Sequence, residues 1–107
     1  MGEHDIQDQI RLAASKLGIV LWRNNVGLFT MGARKIRTGL APGSSDLIGL
    51  LDPEGVFVAI EVKAPGGRST DQQQTFIRLV NRAGGLAFVA HSVDDVRIAV
   101  EMYRAKR

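Results

Sequence analysis

An α/β fold, with a mixed four-stranded sheet flanked by helices, is predicted by three observations. Apolar residues recur at helical spacing near the amino terminus, two apolar runs flank a Pro-Gly turn in mid-chain, and a capped amphipathic segment then leads into a last apolar run. At 107 residues the chain has the length of one domain, spanning 1–107, with no room for a separate recognition module.

Each element follows from local chemistry. Ile6, Ile10, Ala13, Ala14 and Leu17 repeat at three to four residues, and Gly18 supplies a stop, so a first helix is expected from about Glu3 to Leu17. Ile19 to Arg23 reads as a strand. The stretch from Asn24 to Ser45 holds four glycines and one proline, a loop long enough to carry function, with a short hairpin expected around Leu28 to Ile36. Leu47 to Leu51 and Val56 to Lys63 are strands joined by the turn Asp52-Pro53-Glu54-Gly55. Thr70 and Gln73 form a capping box opening a helix that buries Phe76, Ile77, Val80 and Ala83 and ends at Gly84-Gly85. Leu86 to Ala90 is the final strand, and Ser92 with Asp95 caps a last helix bearing Val96, Val100 and Tyr103. The crossover helix makes the last strand parallel to the one ending at Lys63.

The mid-chain turn fixes a register. With Asp52 and Gly55 as its ends, residue 51 pairs with 56, 49 with 58, 47 with 60, and Asp46 falls opposite Glu61. Opposed like charges destabilise a sheet unless something compensates them. A divalent cation does so. Lys63 shares the face of Glu61 while Val62 points into the other layer, and two carboxylates suit Mg2+ or Mn2+, which keep waters and substrate phosphate oxygens in their shell. The backbone carbonyl of Val62 is a further candidate ligand. Together these residues point to a metal-dependent nuclease that activates water.

Charge and composition narrow the class. The net charge is +3, hydrophobic residues make up 45%, and cysteine is absent, so neither disulfides nor thiolate metal sites exist. Arg23, Arg34, Lys35 and Arg37 gather in or beside the long loop, where a phosphate backbone would suit them; Arg104, Lys106 and Arg107 read as a solvated end. No apolar run approaches the roughly 20 residues of a membrane span, so a cytoplasmic, intracellular protein is expected.

Asp46 and Glu61-Val62-Lys63 resemble the catalytic core of the PD-(D/E)xK nuclease superfamily. Within it, Trp22-Arg23-Asn24-Asn25-Val26-Gly27, Pro42-Gly43-Ser44-Ser45-Asp46 and the helix from Thr70 to Phe76 resemble a stand-alone VRR-NUC (virus-type replication-repair nuclease) domain over nearly the whole chain. Pro42 stands four residues before Asp46, so the adjacent Pro-Asp pair is missing and Ser45 takes its place. The resemblance implies a restriction-endonuclease-like sheet and Gln73 as the motif glutamine. It also implies a homodimer of bacterial or phage origin cutting branched DNA such as four-way (Holliday) junctions in DNA repair. Glu3 has two readings, a metal ligand by resemblance or an acid attracted by its helix dipole. The alternatives are a nicking or restriction-like nuclease on unbranched DNA, or a non-catalytic DNA-binding module. Leu28, Phe29, Met31 and Ile36 are apolar loop residues that would suit a dimer surface.

Overall fold

The computed structural model describes residues 1–106. Helix α1 (Glu3–Ala13) tightens into a 3-10 turn at Ala14–Leu17, and Gly18, at φ 76°, ends it. The expected first helix is therefore α-helical for its first eleven residues, the last turn closing more tightly while Ala14 and Leu17 stay packed on the core. Strand β1 (Ile19–Arg23) follows, then β2 (Gly27–Met31) and β3 (Arg34–Thr38), β4 (Leu47–Leu51), β5 (Phe57–Val62), α2 (Asp71–Arg82), β6 (Leu86–Ala90) and α3 (Val93–Ala105).

The main sheet has the order β1-β4-β5-β6, with β5 and β6 parallel and the other pairs antiparallel. Leu47 pairs with Ile60 and Gly49 with Val58, the register the turn predicts. The turn itself closes one residue wider than expected. Gly55 N donates to Leu51 O at 2.7 Å and Leu51 N to Val56 O at 2.9 Å, so the turn's closing bond runs back to Leu51, the last residue of β4, while the strands keep their alignment.

Strand alternation sends β5 into two cores. Val58, Ile60 and Val62 face α1 and α3, packing with Ile6, Ile10, Leu47, Val96 and Val100; Ala59 faces α2 with Ile77, Val80 and Ala87. Each buried Val, Leu or Ile among them contributes about 1.5–3 kcal/mol by leaving water. Because both faces of β5 are covered, its one charged residue, Glu61, is only 2% exposed. Ala83, expected in the core of α2, is exposed instead, as the C-cap residue one position beyond the last helical residue, Arg82.

Strands β2 and β3 form a separate two-stranded sheet, an arm whose residues are almost all exposed. At the opposite end of the chain, Arg104 is not a free surface charge. Its guanidinium bonds Glu54 at 2.6 and 2.9 Å and the carbonyls of Asp52 and Gly18 at 3.1 and 3.4 Å, tying α3 to two turns. Lys106 is exposed, and Arg107 lies outside the described residues. Among the described residues no helix is long and apolar enough to cross a membrane.

Candidate active site

The site forms where β4 and β5 part. Since Leu51 and Val56 are a hydrogen-bonded pair, alternation makes Ser45 and Val62 the next-but-two such pair, and Ser45 O the expected acceptor for Val62 N–H. The structure departs from that ladder. Val62 N donates to Asp46 Oδ2 at 2.9 Å, and Ser45 O instead accepts from Asn24 Nδ2 at 2.9 Å. Asp46 stays with β1, its carbonyl accepting from Asn24 N at 2.8 Å. The ordered ladder thus ends at Leu47–Ile60, one step short of the direct Asp46–Glu61 pairing expected from sequence.

Asn24 is the residue sequence reasoning missed. Only 8% exposed, it bonds Ser44 Oγ at 2.8 Å and Ser45 O through Nδ2, and accepts from Leu40 N at 2.9 Å through Oδ1. One side chain therefore binds both ends of the segment that delivers Asp46. Sequence offered one clue, an Asn directly after a strand and before a long Gly-rich loop, but its partners lie sixteen to twenty-one residues away.

Gly43 seats the same segment against α2. At φ +86°, it lies so close that a Cβ there would stand 2.5 Å from Gln72 Cγ and 2.9 Å from Gln72 O. Only glycine fits that contact.

Next along α2, Gln73 divides its amide between two tasks. Thr70 N–H can only donate, so its 2.8 Å partner is Gln73 Oε1; Nε2 then faces Glu61 Oε2 at 3.0 Å. Thr70 Oγ1 completes the capping box by accepting from Gln73 N. The same side chain thus caps α2 and reaches Glu61.

Glu61 Oε2 also lies 3.6 Å from Lys63 Nζ, while Oε1 is buried with no hydrogen-bond partner. Burial first, and the charge of Asp46 second, push the Glu61 carboxyl up to about 8, against a smaller opposing pull from Lys63. A cation beside these two carboxylates would take the place of the proton, so the residues fit a divalent ion. They do not form a complete cage: among the described residues, no three His, Asp or Glu side chains gather at one point. Glu3 is exposed and lines the cavity of about 510 Å³ that also holds Asp46, Arg23, Asn24 and Phe29, without forming such a group. Val62 is fully buried, its N–H given to Asp46.

The basic loop residues are not one cluster. In the arm, Leu28 pairs with Arg37 and Thr30 with Lys35, while Phe29 pairs with Ile36 and Met31 with Arg34. Alternation therefore puts Lys35 and Arg37 on one face and Arg34 on the other. Arg23 is separate again, in the cavity wall. His4 lines that cavity too, whereas His91 is a junction residue, its Nδ1 within 3.1 Å of Lys63 O. Trp22 is a half-exposed strand-face residue. Another groove, about 310 Å³ between Phe57 and Leu79, has only apolar and glycine lining and so offers no chemistry.

The family model of the VRR-NUC domain matches residues 1–94. A solved structure described as a VRR_NUC domain superposes with a TM-score of 0.64 at 22% identity, covering 94% of this chain and 96% of that one, a likeness of fold. Among curated proteins, none matches this sequence.

Proposed function

Because this chain belongs to the VRR-NUC domain family, nucleases of the PD-(D/E)xK type that act on DNA, we propose that it is a Mg2+- or Mn2+-dependent endodeoxyribonuclease. Asp46 and Glu61 are its metal-holding pair, with the Val62 carbonyl and Glu3 as accessory ligands. The observation that supports this most is the Glu61 carboxylate. One oxygen is oriented by Gln73 and Lys63, the other is buried away from any donor, and Asp46 is close enough to raise the proton affinity of Glu61. In the metal-free chain a proton between Glu61 and Asp46 offsets their repulsion, and a divalent ion in its place accounts for two acids packed side by side.

When bound, a divalent ion supplies Lewis-acid stabilisation of the phosphate and lowers the pKa of water. The chain's own groups do the rest. Gln73 fixes the plane of the Glu61 carboxylate. Val62 N–H fixes Asp46. The Lys63 ammonium, anchored at Glu61, neutralises charge gathering on the phosphate oxygens or orients the attacking water. Arg23 lines the cavity, and Lys35 and Arg37 on one face of the arm with Arg34 on the other would hold backbone phosphates.

Each chain has one such centre, and symmetric cleavage of two strands calls for two. We therefore read the active form as a homodimer that resolves four-way junctions, with a nicking nuclease on unbranched duplex as the competing reading. The test uses labelled four-way junction, flap, single-stranded and duplex DNA, with Mg2+, Mn2+ or chelator. Metal-dependent cutting that Asp46→Asn, Glu61→Gln and Lys63→Ala each abolish is expected, with DNA binding retained. Cutting of all four DNAs at equal rates by a protein of monomer mass would refute the junction reading, and cutting that survives Glu61→Gln would remove Glu61 from the centre.

A further inference from the structure

The arm turns a particular face toward the site. Phe29 lines the same cavity as Asp46 and Arg23, yet 57% of it is exposed. Its ring is seated over Gly27, where a Cβ would come within 3.0 Å of Phe29 Cε2. Register then fixes its neighbours. Phe29 shares its face with Ile36, Met31 and Arg34, whereas Lys35 and Arg37 occupy the face turned away from the cavity. The side of the arm toward Asp46 is thus mainly apolar and aromatic, and the side away from it holds two cations.

An apolar wall is a poor grip for a phosphate backbone. A half-exposed ring does match the flat face of a nucleobase, which inside duplex is already covered by its neighbours. Asn25, exposed in the same lining, suits the edge of such a base, and Arg23 suits its phosphate. A second copy of the chain seated on Phe29 would close the cavity that holds Asp46, which argues against that occupant.

We propose that Phe29 stacks on an unpaired nucleobase beside the phosphate cut at Asp46, so that the arm selects DNA with unpaired bases over continuous duplex. This rests on the nuclease reading above and not on the junction reading, since a four-way junction can keep every base paired.

The test uses the full chain in chelator with two duplexes of one sequence, one presenting 2-aminopurine as a single-base bulge and the other pairing it. The wild-type protein should bind the bulged DNA more tightly and quench its fluorescence. Phe29→Ala should weaken that complex by about 5- to 150-fold while leaving the paired duplex near wild type, and Phe29→Trp should retain the contrast. Because the ring is half-exposed, the thermal midpoint of Phe29→Ala should stay close to wild type, which separates stacking from folding. Equal wild-type affinity for both DNAs would overturn the proposal. So would an equal loss on both with Phe29→Ala, or a fall from dimer to monomer mass with the bulge preference intact. Adding Mg2+ or Mn2+ separates the two claims: preference without cutting sinks the nuclease reading alone, and cutting with an unchanged bulge-to-duplex ratio in Phe29→Ala sinks the stacking alone.

Discussion

Removing the charge of Glu61 should change how the metal-free protein responds to pH. In the folded chain its carboxyl titrates at about 8 rather than 4.5, mainly because it is buried and secondly because Asp46 is beside it. Between those values the folded state keeps a proton that the unfolded state has released, so stability falls as pH rises. The stabilisation is fully present below the unfolded value and is lost as pH passes through the folded one. The slope is about 1.4 kcal/mol per pH unit, so from about pH 5 to about pH 8 the loss reaches about 4 kcal/mol at most. Urea unfolding of wild type in chelator, repeated across that window, measures it directly. Glu61→Gln has no proton to lose there and should remove this component of the slope; Asp46→Asn, which deletes the second cause, should reduce it. Added Mg2+ should stabilise wild type more at the alkaline end, where it no longer competes with a proton. A wild-type protein whose stability is flat across the window, or a Glu61→Gln protein with an unchanged slope, would refute the view that this carboxyl is held protonated by burial and by Asp46.

Three further outcomes follow from particular contacts. Asn24→Ala strips partners from Ser45 O, Ser44 Oγ and Leu40 N, so urea unfolding should show a loss of about 2–4 kcal/mol; calorimetric Mn2+ affinity should fall with it if Asn24 positions Asp46. Gly43→Ala places a Cβ against Gln72 in a backbone region that favours glycine, and should cost about 1–3 kcal/mol in thermal unfolding and lower cleavage, whereas an unchanged midpoint would mean the loop moves aside freely. Replacing Lys35 and Arg37 together should flatten the salt dependence of DNA binding by a slope of about two, while Arg34→Ala, on the other face, should add its effect separately; an unchanged slope in the double variant would make these two solvated charges.

How much could be read from residues alone depended on the range of the interactions. The β4–β5 register was legible because a short turn and strict alternation determine it locally, and it brought Glu61 and Lys63 to one face and Asp46 to the sheet's end. The caps at Thr70 and Ser92 were legible for the same reason, three-residue chemistry at a helix start. What escaped was non-local. Nothing in residues 24–45 states that Asn24 will satisfy groups near Ser45, or that Val62 N–H will exchange a backbone acceptor for Asp46. The arm's hairpin was expected, but the separation of Arg34 from Lys35 and Arg37 required its register. Ala83 went astray because helical periodicity does not show where the helix ends.

The divided amide of Gln73 has a kinetic corollary. Fraying of the first turn of α2 breaks the bond to Thr70 N and, with it, the bond that orients Glu61. The helix start and the carboxylate therefore open as one local unit, and whatever ligand holds Glu61 in place also protects that turn. Hydrogen exchange at the amides of Thr70 and Gln73 becomes a clock for occupancy of the carboxylate pair.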